Sequence, residues 1–163
     1  MNEFYMEQLV SRKTATKQNT MAKIICLILT GVFIALSFII GLSLIPAIIL
    51  IIVDIILMKN SNIEYEYLYL NGDLDIDKVI AKQRRKHVIS VSMENVEVIA
   101  PKNSGEVRTY QKVKTLDFSS GIDSPAVYKM VLTKDNQKMA ILFEPNKALL
   151  DGMRMVAPRK VIL

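Results

Sequence analysis

From Ile24 to Val53 the chain, "IICLILTGVFIALSFIIGLSLIPAIILIIV", is an uninterrupted apolar run without one charged residue, and the apolar character continues past Asp54 to Met58. A bilayer core is about 30 Å thick and takes about 20 helical residues, so the run predicts insertion into a membrane. A cleaved signal peptide has an apolar region of only about 7–15 residues and a small-residue cleavage site, which this run does not match. As one helix, Met21 to Met58 would extend roughly 57 Å, far more than a single crossing needs. Gly41, Ser43 and Pro46 cluster at its midpoint, and proline disfavours helix at the residue before it. The pattern therefore predicts a transmembrane helical hairpin over 21–58, with arms near Met21–Ile40 and Leu44–Met58; a single tilted or kinked helix is the alternative.

Beyond Met58 the period changes to two. Tyr65, Tyr67 and Tyr69 alternate, Asn71-Gly72 marks a turn, and Leu74 and Ile76 alternate with Asp75 and Asp77, which predicts a β-hairpin. A second pairing is expected between "HVISVSM" and "VEVIAP" across Glu94-Asn95. A third is expected between "AVYKMVLT" and "KMAILFE" across Lys134–Gln137, and "RTYQKVKTLDFSS" offers one or two more strands. Ala148, Leu149, Met153 and Val156 then recur at helical spacing until Pro158. The expected fold is α+β. Residues 1–20 form an N-terminal segment, 21–58 the hairpin, and 59–163 a small barrel or curved sheet of six or seven antiparallel strands closed by one C-terminal helix.

Charge adds orientation. Arg12, Lys13, Lys17 and Lys23 precede the apolar run and Lys59 follows it, so both flanks are basic, the mark of the cytoplasmic side. A multi-pass protein of the cell membrane with both termini cytoplasmic is the expectation. The densest charge is "KQRRKH", where Lys82, Arg84, Arg85 and Lys86 place four cations in five residues. Beyond Met58 there are 17 basic and 13 acidic residues, too mild a surplus for a nucleic-acid stripe, so nucleic acid is disfavoured as a partner. Lys82, Arg84, Arg85 and Lys86 form a solvated or self-paired surface, in which Asp75 or Asp77 pairs across the hairpin with Lys82 or Arg84, or they contact anionic lipid.

Candidate chemistry is sparse. Asp54 is the one ionisable group in the apolar run: an intramembrane polar site by default, or a side chain snorkelling to the interface near Lys59. Asp73, Asp75 and Asp77 open like a calcium loop, but Lys78 and Arg84 stand where glycine and glutamate are needed. His87 is the only histidine, Cys26 is the only cysteine, and Ser119-Ser120 in "LDFSSG" lacks a Gly-x-Ser-x-Gly elbow. No metal, cofactor or recognisable enzyme class is expected. Tyr65, Tyr67 and Tyr69 read equally as an interfacial or stacking platform and as a buried strand.

The order of elements, and "RRKHVISVSMENVEVIAP" within it, resembles the bacterial pleckstrin-homology-like membrane proteins. Through "EQLVSRK", "IEYEYLYLNGDLDIDK", "LDFSSG", "LFEPN" and "APRKV" the whole chain is similar to a small uncharacterised bacterial membrane-protein family of the domain-of-unknown-function series. The resemblance implies a bacterial origin and supplies no catalytic residues. The functional expectation is a non-enzymatic scaffold or regulatory subunit with the lipid bilayer as one partner and a protein, or a second copy, as another. A lipid or small-ligand sensor, or an accessory subunit of a transport assembly, is the alternative.

Overall fold

The computed structural model describes residues 4–59 and 63–163. Residues 1–3, within the expected N-terminal segment, and 60–62, at the expected start of the strand-rich domain, lie outside them. The apolar run folds as two helices, α1 (Lys13–Ser37) and α2 (Leu44–Lys59), joined by a turn that holds a 3₁₀ segment, Gly41–Ser43. Pro46 falls in the first turn of α2, where its missing N–H has no intrahelical partner to lose, so it starts a helix instead of breaking one. Within α1, Thr20–Ser37 has mean hydropathy 2.1 and is long and apolar enough to cross a membrane, while Leu44–Ile56 is a shorter apolar stretch. The tip is apolar and open to its surroundings, with Phe38 89% and Ile39 82% exposed.

Among the described residues eight strands form two sheets. The first has the order β1 (Tyr5–Ser11), β2 (Ile63–Leu70), β3 (Asp73–Ile80), β4 (Arg84–Ser92), all antiparallel. The second has the order β5 (Val96–Pro101), β7 (Tyr128–Lys134), β8 (Gln137–Phe143), β6 (Lys114–Asp117). The short helix α3 (Gly105–Arg108) follows β5, and α4 (Lys147–Val156) follows β8. Inward residues of both sheets and one face of α4 share a core that includes Tyr67, Leu74, Ile76, Ile99, Met130, Ile141, Phe143, Leu149 and Met153. Asn146 caps α4 by accepting a hydrogen bond from the Leu149 N–H at 2.8 Å. Gly152 lets the Phe4 ring lie against α4, since a Cβ there would run into it.

Three expectations change, and one left open is decided. Within the expected N-terminal segment Tyr5–Ser11 is an edge strand of the first sheet, and α1 starts at Lys13, not near Met21. The expected hairpin of "HVISVSM" with "VEVIAP" does not form. The Met93 N–H turns to the Gly72 carbonyl at 2.8 Å, and the chain crosses from β4 in one sheet to β5 in the other. The strands described within 59–163 are seven, as expected, but β6 pairs with β8 in parallel, so they are not all antiparallel. Tyr65, Tyr67 and Tyr69 are buried, which settles that face as core. The Tyr67 hydroxyl donates to the Phe118 carbonyl at 2.7 Å and accepts from the Glu144 N–H at 3.2 Å, so its burial leaves no orphan.

Candidate functional site

The register fixes which end of the sandwich meets the helices. Ser11 lies opposite Glu64, Ile63 opposite Ile80, and Ile80 opposite Arg84. The C-terminal end of β1, which leads into α1, the N-terminal end of β2, which follows α2, and the β3–β4 turn thus share one end of the sheet. At about 4.8 Å per strand, Arg84 stands roughly 10 Å across the sheet from Ile63.

This end is built around Arg12. Its guanidinium donates to the Asp117 carbonyl at 2.6 Å, to Asp117 Oδ2 at 3.2 Å and to the Tyr65 hydroxyl at 3.3 Å. The Lys13 N–H, one of the donors a helix start leaves open, bonds the Ser120 carbonyl at 2.9 Å. The loop is itself braced: Asp117 Oδ1 accepts from the Ser119 N–H and hydroxyl, and the Ser120 hydroxyl donates to Glu144 Oε1 at 2.8 Å. "LDFSSG" is therefore the socket that seats the root of α1, and sequence spacing could not reveal it because Arg12 and Asp117 are 105 residues apart.

The basic cluster divides by strand alternation. Ala81 and Lys82 form the β3–β4 turn in the left-handed region, at φ 52° and 57°. The expected pairing of Asp75 or Asp77 with Lys82 or Arg84 is absent among the described residues. Arg85 instead bonds Glu66 on β2 at 2.8 Å, and Asp77 bonds His87 Nδ1 at 2.9 Å. The register sets Arg85 opposite Val79 and Asp77 opposite His87, so these groups lie on the outer face of the sheet, while Arg84 and Lys86 alternate to the other side. Lys82, Arg84 and Lys86 are exposed and have no ion-pair partner among the described residues.

A register shift on β4 between the partners of Ile76 and Asp77 leaves Val88 unpaired. This bulge brings His87 and Ser90 to one face, where Ser90 Oγ lies 3.1 Å from His87 Nε2. Asp77, His87 and Ser90 thus form a hydrogen-bonded chain. Neither His87 nor Ser90 lines the two grooves of 590 and 560 Å³. Glu66, which the sequence reading passed over, is 1% exposed on the outer face. Burial, and then the neighbouring Glu7 carboxyl, raise its pKa against the opposing pull of Arg85.

Between the helices Asp54 is turned inward: its Oδ2 accepts from the Thr30 hydroxyl at 2.9 Å, beside buried Cys26. Among the described residues no group of three or more His, Cys, Asp or Glu could hold a metal ion.

A family model described as a bacterial PH-like domain (DUF6106) matches residues 2–163. No curated protein and no solved structure matches.

Proposed function

Because the chain belongs to the family of bacterial PH-like domains designated DUF6106, we propose that it is a non-enzymatic interaction module held at the inner leaflet of the cell membrane. In this reading α1 and α2 lie in the bilayer, both termini are cytoplasmic, and Lys82, Arg84 and Lys86 meet anionic headgroups. The observation that carries it is the register: the basic turn lies at the end of the sandwich from which the helices leave. Further support comes from the side chains around the hairpin. Ile24, Ile28, Ile45, Ile48, Ile52 and Ile55 are all exposed, and an apolar surface of that extent needs lipid cover. α2 is short for a crossing, a mismatch that tilting or local thinning accommodates at a modest cost. Three cations within about 8 Å of an anionic surface gain about 1 kcal/mol each. Use of Asp54 as a transport or sensing group has less support, because Thr30 already engages its carboxylate.

The chain has no tryptophan, so Gln83→Trp places a single reporter in the basic turn. In nanodiscs its emission is expected to be quenched by brominated phosphatidylglycerol, and less so after Lys82, Arg84 and Lys86 are changed to glutamine. Emission indifferent to brominated anionic lipid would remove the headgroup contact.

A further inference from the structure

We propose that the free edge of β1 is a strand-addition site for an extended segment of a second protein lying at the membrane surface. This deepens the interaction-module reading above and rests on it.

The direction of the β1 backbone groups follows from two hydrogen bonds. The Arg12 N–H donates to the Ile63 carbonyl at 2.9 Å, and the Asn71 N–H donates to the Phe4 carbonyl at 3.3 Å. In an antiparallel ladder such paired positions alternate, so Phe4, Met6, Gln8, Val10 and Arg12 face β2. Glu7, Leu9 and Ser11 therefore direct their N–H and C=O groups away from the sheet. Those of Leu9 and Ser11 find no hydrogen-bond partner among the described residues.

They open into a groove of 560 Å³. One wall is the β1 edge; the other holds Ser120, Ile122 and Glu144, and Lys13 stands where α1 begins. Unpaired edges invite pairing, and the chain protects its others. β4 carries Arg84, Arg85, Lys86 and a bulge, β5 ends in Pro101 and shifts register between Val96 and Val98, and β6 is four residues long. β1 has neither proline nor bulge, and its register runs unbroken from Tyr5 opposite Leu70 to Ser11 opposite Glu64.

The occupant fits a single strand with alternating side chains, hydrogen-bonded through its main chain to Leu9 and Ser11. Lys13 favours an acidic side chain at its membrane end. A second copy fits poorly, because its own β1 edge faces the same wall formed by its own Ser120–Ala126 and Glu144–Asn146 segments.

The test uses the full chain in detergent micelles, where lipid contact plays no part, and a fluorescein-labelled peptide of alternating valine and threonine ending in glutamate. Fluorescence anisotropy is expected to show saturable binding, weakened about tenfold, as loss of a main-chain hydrogen bond would do, when alternate peptide amides are N-methylated. Leu9→Pro and Ser11→Pro remove outward N–H groups without touching the ladder to β2 and should weaken binding similarly, whereas Leu9→Ala should not. Binding that is absent up to millimolar peptide, or equal for the N-methylated analogue, would overturn the proposal, and the analogue needs no variant to fold. A dimer of the chain that Leu9→Pro dissociates, seen by light scattering, would assign the edge to a second copy and overturn it as well. Quenching at Gln83→Trp in nanodiscs, read separately, reports whether the headgroup reading stands.

Discussion

Glu66 occupies the middle of an open sheet face yet is 1% exposed, packed beside Glu7 and bonded to Arg85 at 2.8 Å. Its carboxyl has a raised pKa in the folded chain, from burial first and Glu7 second. The folded state therefore holds this proton more tightly than the unfolded state. The stability tied to Glu66 is fully present below the ordinary carboxylate value of 4.5 and is lost as pH rises through the folded value. Glu97 has the opposite sign: hydrogen bonding to Lys138 lowers its pKa, so its contribution is lost on acidification. Glu66→Gln is expected to gain thermal stability relative to the parent chain as pH rises above the ordinary carboxylate range. Thermal midpoints recorded from acid to neutral pH check this; two curves that stay parallel would show that Glu66 does not titrate as argued. None of this was visible in the sequence, where the alternation around Tyr65, Tyr67 and Tyr69 left open which face of the strand is buried. Glu66 lies between β1 and β3, with Arg85 reaching it from β4, and β1 itself was not visible. In "YMEQLVS" apolar and polar residues fall on both faces, with Gln8 inward and Leu9 outward, so no period of two emerges.

At the scale of elements, three β-turns place residues other than glycine at positive φ: Asn71, Ala81 with Lys82, and Asp135 with Asn136. Asparagine and aspartate tolerate that region, and those two turns were legible from sequence; alanine and lysine tolerate it poorly, at roughly 1–2 kcal/mol each. The strained turn is the one that carries the exposed cations. Strain retained at one turn and relieved at the others marks a position held for another reason. Lys82→Gly is therefore expected to stabilise the domain by about 1 kcal/mol while weakening the proposed headgroup contact, and Ala81→Gly to stabilise it without that weakening. Thermal unfolding and the Gln83→Trp reporter, read together, test both halves. A Lys82→Gly variant less stable than its parent would refute the strain. Pairing beyond neighbours was the part of the sheets that sequence could not supply. Glu94-Asn95 looks like a hairpin turn, but the chain changes sheets there, and the parallel seat of β6 against β8 depends on contacts that no local pattern encodes.

For the whole molecule, the question is how the hairpin lies relative to the bilayer. The break was legible because glycine, serine and proline cluster near the midpoint of the apolar run; the first helix ends at Ser37 and the second begins at Leu44, with Pro46 in its first turn. With Cys26 replaced by serine and one cysteine placed in turn at Ser43, Ser11 or Ser61, an impermeant thiol reagent applied to intact cells is expected to label only Ser43→Cys. Labelling at Ser11→Cys or Ser61→Cys would place the strand-rich domain outside. The contact of Asp54 with Thr30 ties the two helices together at one level and gives that carboxylate a packing role.

The connection between β1 and β2 has a topological consequence. These strands are neighbours, and Ser11 faces Glu64 across a narrow pair, about 4.5 Å between Cα atoms. In connectivity, both helices are thus one long insertion spliced into a β-hairpin. During synthesis β1 emerges first yet has no partner until the helices and β2 have followed, so sheet closure waits on the two helices. A chain in which a tight turn replaces everything between Ser11 and Glu64 would keep every strand of the domain and its order, leaving a sandwich without its apolar helices.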